Sequence, residues 1–116
     1  MQIINIGGKV VRIDRNSGIT KNVKIIEWMK NEILMSVSEL FNILFKGVKS
    51  ADEALQDILA NIIMITYLLA KRLGISFNEI DYRIKEKTSL GIKEDHRIEK
   101  WYGDLTNLKN HIENRE

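Results

Sequence analysis

Few side chains in this 116-residue chain stand at spacings that a known chemistry requires. The two histidines, His96 and His111, lie far apart in sequence and match no metal-ligand pattern. Glu94, Asp95 and Glu99 crowd His96, which favours surface pairing over ligation. Lys85 and Lys87 could meet phosphates, although two lysines on one helix also suit a solvated face. Trp101 and Tyr102 could stack on a base. Trp101 shares helical spacing with Ile98 and Leu105 and is expected in the core, whereas Tyr102 faces elsewhere and is left open. Gly7-Gly8-Lys9 lacks the glycine spacing and trailing hydroxyl of a phosphate-cradling loop. Serine-nucleophile motifs are absent. With no cysteine, disulfides, thiolate metal sites and cysteine nucleophiles are all excluded.

The elements that must position these residues are helical. Proline is absent, and the glycines fall mostly where helices would start or stop. Ile26, Met29, Ile33, Val37, Leu40 and Leu44 mark one face of a helix from about 22 to 46, which Gly47 stops. Trp28, Met35, Phe41 and Phe45 widen that face beyond one stripe and call for a second packing partner. A second helix is expected from 51 to about 73, capped by Ser50 with Glu53 three residues on, and closed by Gly74. From Ile58 it is apolar almost all round, as befits the central helix of a bundle. A third, from 77 to 89, starts on a Ser76/Glu79 capping box, points Phe77, Ile80 and Ile84 inward, and ends at Gly91. A last helix from 93 to 112 uses Ile98, Trp101, Leu105, Leu108 and Ile112, with a break near Gly103. Residues 1–20 form a separate amino-terminal arm. Loose alternation around Gly7-Gly8 suggests a hairpin there, followed by a turn at Asn16, Ser17 and Gly18. The helical domain is then 21–116.

Composition adds broad limits. Apolar content of 44% and charged content of 29% are ordinary for a globular domain. Residues 1–30 carry six basic side chains against Asp14 and Glu27, a solvated arm or a phosphate-touching one. No specific nucleic-acid binding is expected. Ile58 to Ala70 is the most apolar stretch, shorter than the roughly 20 residues that span a bilayer, so a buried helix and no membrane partner are expected. No secretory signal is seen in residues 1–10, and a cytoplasmic location fits the lack of cysteine.

Several segments resemble the MazG-like branch of the all-α nucleotide pyrophosphohydrolases. They are Asn22 to Trp28 with Ser36 to Leu40, Ala70 to Phe77 with its Arg72-Leu73-Gly74 turn, and Gly91 to His96 followed by Ile98 to Leu105. The resemblance spans about 22–112. It implies an all-α bundle completed by oligomerisation, as a homodimer or homotetramer. It also implies Mg²⁺-dependent cleavage of nucleoside triphosphates to the monophosphate and pyrophosphate. In that superfamily the cation is held by Glu-x-x-Glu on one helix and Glu-x-x-Asp on the next.

Here the first motif falls on Ser36-Val37-Ser38-Glu39 and the second on Ile58-Leu59-Ala60-Asn61, so Glu39 alone survives of four acids. Substitutes lie nearby. Glu32, Ser36 and Glu39 share one helical face, as do Glu53, Asp57 and Asn61. If the faces oppose, Glu39, Asp57 and Asn61 are the expected Mg²⁺ ligands, with Glu32, Ser36 and Glu53 in weaker support and Lys85 and Lys87 toward substrate. The alternative is a non-catalytic module for oligomerisation or nucleotide binding. In it Glu32 and Glu53 are solvated, and Glu39 and Asn61 are a hydrogen-bonded remnant.

Overall fold

The computed structural model describes residues 2–13, 18–47 and 51–115. Two compact units divide the chain, Met1–Gly74 and Ile75–Glu116.

The first unit begins with strands β1 (Gln2–Ile6) and β2 (Lys9–Ile13), paired antiparallel from Gln2↔Ile13 to Ile6↔Lys9. The connection is Gly7-Gly8, with φ of 55° and 83°. A two-residue turn of this hand needs positive φ at both positions, which glycine adopts without strain. Helix α1 (Gly18–Lys46) follows, and Gly47 at φ 60° ends it. Helix α2 (Asp52–Arg72) carries Asp52 and Glu53 in its first turn and Lys71 and Arg72 in its last, matching the helix dipole. The expected cap at Ser50 and the turn residues Asn16 and Ser17 lie outside the described residues.

Two hydrogen bonds fix the register of this pair. Asn22 Nδ2 donates to the Arg72 carbonyl at 3.2 Å, and Asn61 Nδ2 donates to Ser36 Oγ at 2.9 Å. The start of α1 therefore meets the end of α2, and the helices run antiparallel. Val23, Ile26 and Met29 of α1 and Ile58, Ile65 and Ala70 of α2 are buried. The expectation that α2 is a central, all-round buried helix does not hold. It packs on α1, and Leu59, Ile63, Met64 and Leu68 are exposed. Measured over the whole helix rather than Ile58 to Ala70, α2 is long and apolar enough to cross a membrane by length and composition. The second apolar set of α1, Trp28, Met35, Phe41 and Phe45, is likewise exposed.

The second unit holds helices α3 (Phe77–Lys93), α4 (Arg97–Tyr102) and α5 (Asp104–Asn114). The Ser76/Glu79 capping box forms: Glu79 N–H donates to Ser76 Oγ at 3.1 Å, and Ser76 N–H donates to Glu79 Oε2 at 2.7 Å. Gly91 does not end α3, contrary to the sequence reading. It lies inside the helix, where a Cβ would stand 2.6 Å from Leu105 Cδ1. The glycine answers to close packing by α5, and the chain leaves the helix instead at Asp95, φ 56°. The last helix starts at Arg97 rather than 93, and His96 Nδ1 accepts from Ile98 N–H at 3.1 Å to cap it. Gly103, φ 67°, separates α4 from α5.

Antiparallel packing of α5 on α3 buries Thr88 and Ile112, and Arg115 pairs with Asp81 at 3.1 Å. That register leaves Phe77 beyond the last turn of α5, which explains why it is exposed rather than inward. Trp101 is also exposed, at 62%, against the expectation of a core role. The turn at Gly103 takes α4 out of line with α5. The Trp101 ring lies instead beneath the Arg97 guanidinium, 5.4 Å from its centroid, and edge-on to Tyr102.

Candidate functional site

The antiparallel register that pairs Ser36 with Asn61 also sets the acids. Glu39 lies three residues beyond Ser36 on α1, and Asp57 four before Asn61 on α2, so both fall on the same side of the helix pair. There Ser36, Glu39, Asp57 and Asn61 line a single groove of about 670 Å³. Ala54 and Ala60 keep it open by their small size, and Ile58 and Met64 supply apolar wall. Ser36 is 7% exposed and sits at the helix contact; Glu39 and Asp57 reach solvent.

The residues brought together are thus the three expected ligands, Glu39, Asp57 and Asn61, and Ser36 of the weaker three. Glu32 and Glu53 are not among those lining the groove. Lys85 and Lys87 belong to α3 in the second unit, Lys85 half-buried and Lys87 exposed. Asn61, which the alternative reading makes part of a hydrogen-bonded remnant, donates to Ser36. The signal was present in the sequence, since Ser36 falls seven residues after Met29 on the inward stripe of α1, where a small hydroxyl needs a polar partner. A second groove of about 590 Å³, flanked by Asn78, Tyr82 and Arg83 on α3, contains none of the sequence candidates. In it Arg83 pairs with Glu86 at 2.9 Å, and a hydrogen bond from Tyr82 to Glu86 holds the phenol above its ordinary pKa.

Chemically, the α1–α2 groove offers hard oxygen donors: two carboxylates, a hydroxyl and an amide. The amide nitrogen of Asn61 is committed to Ser36, so Oδ1 is the acceptor atom of that side chain. Among the described residues no three His, Cys, Asp or Glu side chains gather into a metal cluster. Mg²⁺ is commonly held by one or two carboxylates with the rest of its shell filled by water and substrate phosphate. The donor set therefore fits a cation shared with a phosphate ligand, and is too sparse to retain one alone.

The helical fold and this groove place the chain in a definite class of all-α proteins. The family model described as the MazG-like family matches residues 19–105, and the chain belongs to that family. No curated protein and no solved structure matches it.

Proposed function

We propose that the chain is a Mg²⁺-dependent nucleoside triphosphate pyrophosphohydrolase with a reduced acidic site in the α1–α2 groove. Water adds at the α-phosphorus, the α–β anhydride bond breaks, and the nucleoside monophosphate and pyrophosphate leave. The observation that carries this reading is that Glu39 and Asp57, from two different helices, line one groove with Ser36 and Asn61. Glu39 and Asp57 would hold the cation, and Asn61, oriented by its bond to Ser36, would add a neutral oxygen. When bound, the cation offsets charge on the phosphoryl oxygens and makes water a better nucleophile. Among the described residues the groove lining includes no lysine or arginine, so in this reading the triphosphate enters with its cation.

The purified chain should release pyrophosphate from at least one NTP or dNTP only when Mg²⁺ is present. Glu39→Gln should lower that rate by at least about a hundredfold, roughly 2.7 kcal/mol of transition-state stabilisation. Mg²⁺ alone should leave the melting temperature unchanged. Mg²⁺–nucleotide at a hundred times its dissociation constant should stabilise by about 2.7 kcal/mol. Absence of turnover with every common NTP and dNTP at high Mg²⁺ would reject the hydrolase in favour of a non-catalytic helical module.

A further inference from the structure

The amino-terminal hairpin precedes residues 19–105, the stretch that the family model matches, and it contributes no residue to the groove. It is a two-stranded sheet, which is marginal when left by itself. Strand β2 is the one that meets α1, and among the described residues β1 pairs only with β2. The outer edge of β1 is therefore a row of backbone groups with no strand beside it. The turn at Gly7-Gly8 fixes which groups those are. In such a turn the Ile6 carbonyl accepts from the Lys9 N–H, so Ile6↔Lys9 is a hydrogen-bonded pair. Bonded and non-bonded pairs alternate along an antiparallel ladder. Ile4↔Val11 and Gln2↔Ile13 are then bonded, and Asn5↔Val10 and Ile3↔Arg12 are not. The N–H and C=O groups of Ile3 and Asn5 consequently face away from β2.

The two strands differ in how they treat their edges. Strand β2 carries Lys9 and Arg12, charges of the kind that keep a sheet edge from pairing. Strand β1, Gln2-Ile3-Ile4-Asn5-Ile6, has no charge, proline or glycine, and it is rich in isoleucine, a residue that favours strands. Its sequence is also in register with itself. An antiparallel copy centred on Ile4 sets Ile3 against Asn5, Asn5 against Ile3 and Gln2 against Ile6. The outward N–H and C=O groups of Ile3 and Asn5 on one strand then meet those of Asn5 and Ile3 on the other, and all of them are satisfied. A slip of one residue sets outward groups against inward ones and forms no ladder.

We infer that the outer edge of β1 is a strand-addition surface, and that its occupant is β1 of a second copy of this chain. The two hairpins join across a two-fold axis into one four-stranded antiparallel sheet. Main-chain hydrogen bonds supply the affinity in this mode of recognition, and the match of one strand to the other supplies the register. A two-fold axis sets each residue against the same surface of its partner, so a charged strand would repel itself; β1 does not. Three or more strands are also what lifts a hairpin out of marginal stability. The inference rests on the arm and holds whether or not the groove hydrolyses nucleotides.

Cysteine cross-linking of the full chain tests it, since the natural sequence has no cysteine and Ile4→Cys introduces a single thiol. Pairing centred on residue 4 brings its two Cα atoms to about 4.5 Å, a separation that a disulfide spans. Mild oxidation should therefore convert Ile4→Cys to a covalent dimer. Ile3→Cys and Asn5→Cys leave like positions two residues out of step, beyond the roughly 7 Å that a disulfide bridges, and should cross-link far less. Asn5→Pro removes an outward N–H that the hairpin itself does not use. Added to Ile4→Cys it should slow cross-linking at least about tenfold with an unchanged helical circular-dichroism spectrum. In the wild type, hydrogen exchange at the Ile3 and Asn5 amides should slow as chain concentration rises. Cross-linking no faster at residue 4 than at residues 3 and 5, cross-linking indifferent to Asn5→Pro, or exchange at Ile3 and Asn5 that slows only when an unrelated uncharged strand peptide is added would each overturn the assignment.

Discussion

The two units of this chain solve the same packing problem by different means. Residues 75–116 close on themselves with local devices. Ser76 and Glu79 cap α3 reciprocally, His96 caps α4, Glu99 accepts from Thr106 at the start of α5, and Gly91 lets Leu105 approach. Residues 1–74 rely on two long helices with a narrow shared core and leave apolar rows along their outer sides. The self-contained unit offers no gathered set of candidate acids. The first unit provides the groove that gathers them. Surface left uncovered by folding is what this chain has available for binding.

Ile65 and Ile112 provide a matched comparison, since each is 2% exposed and each anchors one unit. Replacement by alanine removes the same atoms and should cost about 2–5 kcal/mol at either site. Hydrogen exchange distinguishes the units. Ile65→Ala should accelerate exchange in α1 and α2, and Ile112→Ala in α3 and α5. Equal acceleration throughout after either substitution would mean that the chain opens as one cooperative body.

A smaller effect is expected at Asn61. Its hydrogen bond to Ser36 is a part-buried polar element of the contact between α1 and α2. Asn61→Ala strands the buried Ser36 hydroxyl and should cost about 1–3 kcal/mol. Ser36→Ala/Asn61→Leu, which replaces both partners with apolar groups, should recover most of that loss in a urea titration. If the single and double variants are equally unstable, the bond does not hold the register of the groove.

Much of this architecture was legible beforehand, for identifiable reasons. Helix α1 declared itself through long apolar periodicity and Gly47, and α3 through the spacing of Ser76 and Glu79, because each signal acts over a few residues. Glu39, Asp57, Asn61 and Ser36 could be grouped because residues three or four apart share a helical face whatever the tertiary structure. What failed depended on neighbours distant in sequence. Gly91 reads as a stop signal unless Leu105 is known to press on it, and Trp101 reads as core unless the turn at Gly103 is known to redirect α4. Apolar composition marked α2 as a helix that wants burial, but it could not tell whether this chain or another surface supplies the cover.

The smallest effect concerns the closure of the second unit and depends on pH. Glu99 accepts hydrogen bonds from the Thr106 hydroxyl and, at 3.0 Å, from the Thr106 backbone N–H. The hydroxyl contact is the larger cause of a carboxyl pKa held below its ordinary value. A depressed folded-state value means that the carboxylate contributes stability above its unfolded pKa of about 4.3, and that the contribution fades as pH falls through the lowered folded value. Glu99→Gln should therefore lower the melting temperature slightly at neutral pH, and the gap from wild type should narrow progressively as the solution is acidified. Because Glu99 belongs to the self-contained unit, exchange in α1 and α2 should not respond. A gap that stays constant on acidification would show that Glu99 acts on α5 through shape rather than charge.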